Sequence, residues 1–148
     1  MIRSGRDDGF AGGLDGLVFG LLIFVVGTLI VASAWGVVDT KMATGTAAQE
    51  AARTYVEADN ATDAASGADA AAQEVLAGFG RNPSRASVVL AGGFFARCQR
   101  ITIRVSYPSP LLVLPFVGRV GRGLRVSSEH SELVDPFRAG LAGTASCT

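Results

Sequence analysis

The sequence predicts an α+β fold in which a transmembrane helix continues into alanine-rich helices that pack on a small antiparallel sheet. An uncharged apolar run occupies residues 16–38, and alanine-rich segments follow it to about residue 79. The last part of the chain alternates apolar and polar residues, as half-buried strands do. Such a sheet needs a cover on its apolar face, and the alanine-rich helices are the part of the chain that can provide it.

The apolar run is long enough to cross a lipid bilayer. A spanning helix needs about 20 apolar residues, whereas the apolar core of a cleaved signal peptide has about 7–15. We therefore predict a short cytoplasmic leader at residues 1–13, a transmembrane helix at 14–38 and an extracytoplasmic domain at 39–148. Trp35, near the far end of the run, fits the aromatic belt of a membrane helix.

The cations around the run predict a single-pass protein of the cell membrane with its N-terminus in the cytoplasm. Arg3 and Arg6 precede the run and Lys41 follows it, and positive charge is retained on the cytoplasmic side. Cys98 and Cys147 then lie in an oxidising compartment, where an even pair is usually bridged. The bridge would contribute roughly 4 kcal/mol by the loop-entropy estimate. The alternative is two free thiols in a cytoplasmic domain.

Two helices are predicted after the span, at about residues 40–58 and 62–79. Cap and breaker residues in the segment "ADNATDAASG" separate them. Small side chains four residues apart give each helix one packing stripe. The first stripe consists of Ala43, Ala47, Ala51 and Tyr55 with Ala48, Ala52 and Val56 beside them, and the second of Ala64, Ala68, Ala72, Leu76 and Phe79.

Three strands are predicted at about residues 86–91, 99–107 and 123–134. The middle segment, "QRITIRVSY", alternates most regularly, with isoleucine and valine on one face and threonine, arginine and serine on the other. Three short strands of this kind indicate one antiparallel sheet.

An apolar loop is predicted between the second and third strands, in "PSPLLVLPFVGRVGRG", because Pro108, Pro110 and Pro115 argue against a regular central strand. The loop completes the domain's own core, lies on the membrane or binds a partner protein. The arginines that follow it suit anionic lipid headgroups. Its apolar residues are Leu111, Leu112, Val113, Leu114, Phe116 and Val117.

Charge is distributed unevenly along a chain whose formal net charge is zero. Residues 1–80 hold four cationic and ten acidic side chains, and residues 81–148 hold nine arginines and three acids. This indicates either that acidic helices dock on a basic sheet or that a basic surface faces a phosphate-rich polymer.

The sequence offers little for catalysis. His130 is the sole histidine, so no histidine-rich metal site can form, and no serine has a histidine partner with suggestive surroundings. The C-terminal arginines lack interleaved aromatic residues, which argues against binding of single-stranded nucleic acid. We predict no catalytic residue, no metal, no cofactor and no small-molecule substrate.

Two features mark the start of the span. Gly12, Gly16 and Gly20 recur every four residues, which places them on one helix face where small residues allow close helix packing. The alternative is that glycine is simply common in membrane helices.

Asp15 is a carboxylate at the start of the span, where it is either paired within the membrane or solvated at headgroup depth.

The chain resembles the TadE-like proteins of the tight-adherence (Flp) pilus machinery, in their actinobacterial form. Gly9-Phe10 followed by Asp15 is similar to the opening of type IV pilin-like proteins. The segments "TAAQEAARTYVEA", "VSYPSPLLVLPF" and "GLRVSSEHSELVDPFRAGL" resemble the family's later parts. Here the acid is aspartate instead of glutamate and lies one position further from the glycine. The leader is therefore either processed at Gly9-Phe10 or retained as an uncleaved anchor.

The resemblance implies a pilin-like fold and a non-enzymatic minor pilin or pseudopilin. Its expected partners are the membrane, other pilin-like subunits and pilus assembly proteins. In such assemblies the acid, here Asp15, pairs with the N-terminal amine of a neighbouring subunit. The alternative function is an anchored exported module, unrelated to pili, that binds an anionic cell-envelope polymer or another envelope protein.

Overall fold

A computed structural model gives the fold. It describes residues 8–109, 112–114, 118–120, 123–144 and 146–147, with backbone only for residues 8–15 and for those between 110 and 122.

The described residues form an α+β fold with two α-helices, a three-stranded antiparallel sheet and a two-stranded hairpin. This confirms the predicted class and the predicted antiparallel sheet. In chain order the elements are α1 (Asp8–Glu57), α2 (Ala61–Gly78), a short 3-10 helix (Pro83–Arg85), β1 (Ser87–Gly92), β2 (Arg100–Ser109), β3 (Leu112–Leu114), β4 (Gly118–Val120) and β5 (Leu124–Leu133).

Helix α1 is continuous over 50 residues, so one helix carries both the apolar run and the first alanine stripe. It is already helical at Asp8, the first described residue, ahead of the predicted start of the span at residue 14. At its other end, the Arg138 guanidinium donates to the carbonyl oxygens of Val56 and Glu57, at 2.6 Å each. These are among the carbonyls that lack a partner at a helix C-terminus, where a cation is favourable.

Asn60 separates the two helices. Its backbone is extended, and its side chain accepts hydrogen bonds from the backbone N–H groups of Thr62 and Asp63. This is the geometry of a helix N-cap, and it satisfies two donors that the first turn of α2 leaves open. Helix α2 then runs back alongside α1.

The sheet has the order β1-β2-β5, and both pairings are antiparallel. Helix α1 packs on β2 and β5, and the apolar face of β2 is buried against it. Ile101, Ile103 and Val105 are 0–2% exposed, whereas Arg104 points to solvent. The alternation in the sequence therefore corresponds to the two faces of the sheet.

Both alanine stripes lie in the core. Their alanines are 0–3% exposed and Leu76 is fully buried, while Val56 packs at the core's margin. A Cβ atom added at Gly67 of α2 would lie 3.2 Å from Thr54 of α1, so the two helices approach closely there. Phe79 was predicted to belong to the second stripe, and this is wrong. Helix α2 ends at Gly78, and Phe79 is its C-cap with 41% of its surface exposed.

The prolines were predicted to exclude a regular central strand, and this prediction is wrong for Pro108. Strand β2 continues through Pro108 to Ser109, and β3 and β4 then pair as an antiparallel hairpin. The pairing of β1 with β2 ends at Ser106, so Pro108 has a strand neighbour on one side only. A proline is tolerated there because no ladder hydrogen bond is needed on the open side. Pro110 and Pro115 lie outside the described residues.

Candidate membrane and subunit interface

The first half of α1 presents apolar side chains to its surroundings on most of its faces. The large apolar residues from Leu17 to Val38 are mostly 47–73% exposed, with Trp35 the most exposed of them. This part of the helix is long and apolar enough to cross a membrane. Soluble monomers rarely expose so large an apolar surface, so this half of α1 is the candidate for contact with lipid or with other helices.

The hydroxyl groups within the apolar run are satisfied by the helix itself. Thr28 donates to the carbonyl of Phe24, and Ser33 donates to that of Leu29, both at 2.8 Å. In hydrocarbon no water is present to bond a hydroxyl, so this internal pairing is the arrangement that a membrane helix requires.

Three of the four glycines of the run lie on one face of the helix. Gly16, Gly20 and Gly27 lie within about 40° of one another around a helix of 3.6 residues per turn. A Cβ atom added at any of them would meet nothing within 4 Å. Over Gly27 the missing side chain leaves an apolar surface groove of about 360 Å³. The groove is lined by Ile23, Phe24, Gly27, Thr28 and Val31.

The residues predicted to act at the start of the span lie in the first turns of α1, where the structure gives the backbone only. Gly9, Phe10 and Gly12 are all helical. The position of Asp15 is about 100° around the helix from Gly16 and about 140° from Gly20. Gly12 is about 60° from Asp15, so the acid borders the glycine face at its first residue and lies progressively further from it at Gly16 and Gly20.

A buried row of hydroxyl groups joins α1 to the sheet, and the sequence interpretation missed it. Thr40 donates to Ser109 at 3.4 Å, and Thr44 and Ser128 lie 2.8 Å apart. All four residues are 0–7% exposed. Because Thr40 and Thr44 are one helical turn apart beside the alanine stripe, their spacing is the signal that could have identified them. These hydrogen bonds set the level along α1 at which the sheet is attached.

Four cations gather where α1 leaves the apolar run, and we call them the basic end: Lys41, Arg81, Arg85 and Arg125. The Arg81 guanidinium is paired with the carboxylate of Asp39, and Lys41 donates to the carbonyl of Ser127. The guanidinium carbons of Arg81 and Arg85 lie 5.8 and 5.9 Å from the ring centre of Tyr107, within the range of cation–π attraction. Arg125 lies at the same end of the sheet, where it pairs with Pro108, but on the opposite face from Tyr107, because side chains alternate along a strand.

Ion pairs join the acidic and basic parts of the chain at both ends of the domain. Among the side chains that the structure describes, these pairs are Asp39–Arg81 at one end and Asp59–Arg138 at the other. The surface between α1 and the sheet is formed mainly by alanine and branched aliphatic side chains. An acidic helix face docking on a basic sheet face is therefore not what joins the two layers.

The opposite end of the domain carries the disulfide, and we call it the distal end. Cys98 is bonded to Cys147 across 49 residues of sequence. Near it, the rings of Tyr55 and Phe95 meet edge to face at 5.7 Å, which packs the turn after β1 against the last turn of α1. Burial raises the pKa of Tyr55 above its usual value.

The residues predicted as a membrane or partner loop are only partly described. Leu112, Val113 and Leu114 form β3, which lies against α1. Leu111, Phe116 and Val117 lie outside the described residues.

The described side chains offer no cluster of three metal ligands. His130 lies on β5, where its Nε2 atom is 2.9 Å from a carboxylate oxygen of Glu132.

No protein-family model, curated protein or solved structure matches this chain.

Proposed function

We propose that this protein is a non-enzymatic minor-pilin-like or pseudopilin-like component of tight-adherence (Flp) pilus assembly. It acts through helix packing in the membrane and through protein contacts outside it. One observation carries the proposal: a single unbroken helix exposes its apolar first half and uses its second half as the core of a folded domain. In a subunit of this shape, movement of the helix in the membrane also moves the domain outside it, because both belong to one continuous helix.

The glycine face provides the surface for helix packing. Lipid chains are as apolar as leucine, so helices in a membrane associate where small residues let their backbones approach. The groove over Gly27 extends the face that Gly12, Gly16 and Gly20 begin, and it offers a depression into which a neighbouring helix fits.

Asp15 provides the polar contact. A carboxylate held in hydrocarbon costs several kcal/mol unless it is neutralised or paired. A cation from a neighbouring subunit, such as an N-terminal amine, removes that cost and fixes the relative height of the two helices.

The C-terminal domain lies outside the cytoplasm in this proposal. The disulfide is consistent with an oxidising compartment, and the span ends next to the domain without a long linker, because α1 is continuous.

Co-purification of tagged full-length protein with other pilus proteins from detergent-solubilised membranes tests the proposal. Gly20→Leu fills the packing face without a clash inside the subunit, so it should abolish co-purification and leave the domain folded. Ala32→Leu is the matched control, because this exposed residue lies about 120° around the helix from Gly20. Equal recovery of pilus proteins with wild type and Gly20→Leu would contradict the packing role.

Asp15 is tested in the same assay. Asp15→Ala should reduce co-purification strongly, and Asp15→Glu should largely retain it because the charge is kept. If Asp15→Ala has no effect, the carboxylate is solvated and only marks the start of the helix.

The second candidate is an anchored exported module that binds an anionic cell-envelope polymer. The exposed guanidinium groups of Arg85 and Arg125 favour it. Binding of the full-length protein to such a polymer should weaken steeply as salt is raised, since phosphate contacts are lost with counterion uptake. Co-purification that withstands high salt and fails in Gly20→Leu favours the pilus proposal instead.

A further inference from the structure

Charge accumulates on two opposite surfaces of the domain. Helix α1 packs on the apolar face of the sheet through alanine and branched aliphatic side chains. Apart from the ion pairs at the two ends, the acidic and basic parts of the chain therefore do not neutralise each other inside the domain. One charged surface lies on the helices, and the other lies on the far side of the sheet.

The surface of the helices that is turned away from the sheet is acidic, and we call it the outer helix face: Glu50, Arg53, Glu57, Asp63 and Glu74. All five side chains are exposed, and Arg53 is already paired with Glu57. Glu57 lies about 20° around α1 from Glu50. Asp63 lies about 20° around α2 from Glu74. Four acids and one cation give this face a net charge of −3.

A groove between α1 and α2 opens on the outer helix face. Its volume is about 520 Å³, and Glu50 and Glu74 line it from the two helices. The other lining residues are mostly small: Thr54, Gly67, Ala70, Ala71 and Val75. The groove therefore has room for a long side chain from outside. Its two carboxylates favour a guanidinium group, which has enough donors to bond to both.

The surface of the sheet that is turned away from the helices is basic, and we call it the outer sheet face: Arg100 and Arg104 of β2, with Arg125 and Glu129 of β5. Side chains alternate along a strand, so these four point away from the buried Ile103 and from Ser128, which is bonded to Thr44 of α1. Arg104 and Glu129 form an ion pair and are 47 and 48% exposed. Three cations and one acid give this face a net charge of +2.

We propose that the outer helix face of one copy of this chain binds the outer sheet face of a second copy, with an arginine of the sheet face in the groove between Glu50 and Glu74. This inference rests on the proposed placement of α1 in the membrane. The two faces are opposite in charge, whereas two helix faces or two sheet faces repel each other, so electrostatics select this contact. Exposed ion pairs are individually weak, but copies held in one membrane meet at a raised effective concentration.

The contact is compatible with copies that share one membrane, where every α1 points the same way. Because the two faces lie on opposite sides of the domain, a sideways shift places a second copy against the first and keeps the two α1 helices parallel. Such a contact is heterologous: it leaves one helix face and one sheet face free, so further copies add in a row or a ring. The neighbour's sheet lies between the two helix layers, so this contact does not depend on the glycine face.

Complementary charge reversal tests the inference in the full-length chain. Glu50→Lys with Glu74→Lys makes the outer helix face basic. Arg100→Glu with Arg125→Glu makes the outer sheet face acidic and leaves the ion pair of Arg104 in place. Each reversed protein then has two faces of the same sign.

Energy transfer between donor-labelled and acceptor-labelled copies measures their association. The dyes are attached to a C-terminal peptide tag, and the proteins are reconstituted in phosphatidylcholine vesicles. All of them carry Gly20→Leu, so that helix packing in the membrane does not contribute.

We expect either reversed protein alone to give several-fold less energy transfer than the unreversed protein. An equal mixture of the two should restore the transfer, since every contact between unlike copies again joins opposite charges. Asp59→Lys with Asp69→Lys is the matched control and should leave the transfer unchanged. It makes the same change in total charge as the helix-face variant, at exposed positions beyond the end of α1 and beside β1. The milder Glu50→Gln with Glu74→Gln should give an intermediate loss.

Transfer that no reversal lowers overturns the inference, and so does an equal loss in the matched control. A loss that the mixture does not restore also overturns it, because the two faces then do not bind each other. If the reversed proteins lose other pilus proteins in co-purification while transfer between copies is unchanged, the groove takes another protein and the second copy is the wrong occupant.

Alkaline extraction of the vesicles separates this inference from the proposed function. Protein that is released was not inserted, and the membrane placement, the proposed function and the contact between copies then fail together. Protein that stays inserted but shows no charge-dependent transfer overturns the contact between copies alone.

Discussion

The two halves of helix α1 differ in how their apolar side chains are packed, although the helix is continuous. In the half from Gly16 to Val38, large apolar side chains are exposed and none of the most apolar stretch is buried. In the half from Thr40 to Glu57, the buried side chains are mainly alanines, at 0% exposure, and the charged side chains point outward. The same helix is therefore built for an apolar surrounding in one half and for water in the other.

The difference teaches that side-chain size, more than hydrophobicity, marks the part of a helix that packs inside its own domain. Alanine allows α1 to approach the sheet and α2 closely, whereas leucine, phenylalanine and valine in the first half fill space against outside partners. Thr40 and Thr44 lie at the boundary between the exposed half and the packed half of α1, and their hydroxyl groups form hydrogen bonds with the sheet.

Truncation of one leucine in each helical environment should give the largest contrast. Leu76→Ala removes a fully buried side chain of α2 and should lower the free energy of unfolding of the domain by about 2–5 kcal/mol. Leu22→Ala, at 59% exposure in the span, should change it by less than about 0.5 kcal/mol. Urea unfolding in detergent micelles, followed by circular dichroism, measures both. Similar losses in the two variants would mean that the first half of α1 is packed within the domain.

Enlarging one alanine in each half sharpens the comparison further. Ala51→Leu overfills the core on the buried side of α1 and should cost about 1–3 kcal/mol, whereas Ala32→Leu adds apolar surface to an exposed position and should be neutral for the domain. The same urea titration applies. Domain stability unchanged by Ala51→Leu would show that the alanine stripe is not closely packed.

The boundary between α1 and α2 is tested by Asn60→Ala. Loss of the two hydrogen bonds to the backbone of Thr62 and Asp63 should cost about 1 kcal/mol, as for other helix N-caps. Asp59→Ala is the control, since its side chain is 96% exposed and its ion pair is worth little in water. Thermal unfolding of the two variants side by side should show the larger drop for Asn60→Ala; the reverse order would assign the boundary to the ion pair with Arg138.

The smallest effect concerns Tyr55 at high pH. Burial raises its pKa in the folded protein, so the unfolded chain ionises first, at about pH 10. The stability that comes from the neutral phenol is therefore complete below about pH 10 and is lost as the pH rises toward the folded value. Tyr55→Phe should flatten this part of the stability–pH curve, measured by urea unfolding between about pH 8 and 11. An unchanged slope would assign the alkaline loss to other groups.

Much of the fold could be predicted because it depends on local periodicity. The alternation of Ile101, Ile103 and Val105 identified the buried face of β2, and the four-residue spacing of alanines identified the packed side of each helix. Phe79 was assigned to the second stripe because periodicity does not show where a helix stops. The continuation of β2 through Pro108 was missed because a proline is excluded from the middle of a sheet but tolerated in a strand with one open side. That open side exists only because the pairing with β1 ends at Ser106.

The candidate interface was less accessible to sequence reasoning. Gly16 and Gly20 could be placed on one face from spacing alone, but the absence of neighbours around them is a property of the folded chain. The basic end combines α1, the segment after α2, and β5, so residues more than 80 positions apart, such as Lys41 and Arg125, come together only through tertiary packing. The charge split along the sequence showed that the halves differ, and it could not show that ion pairs join them only near the two ends of the domain among the described residues.

Labelling of the cysteines in whole cells tests the central claim most directly, namely that the first half of α1 lies in the membrane with the domain outside the cytoplasm. Intact cells are treated with a membrane-impermeant reductant and then with an impermeant maleimide, with the Cys98→Ser, Cys147→Ser double variant as the blank. The account predicts that Cys98 and Cys147 are labelled in intact cells only after reduction. Labelling that requires lysis of the cells would place the domain in the cytoplasm and contradict both the topology and the pilus proposal.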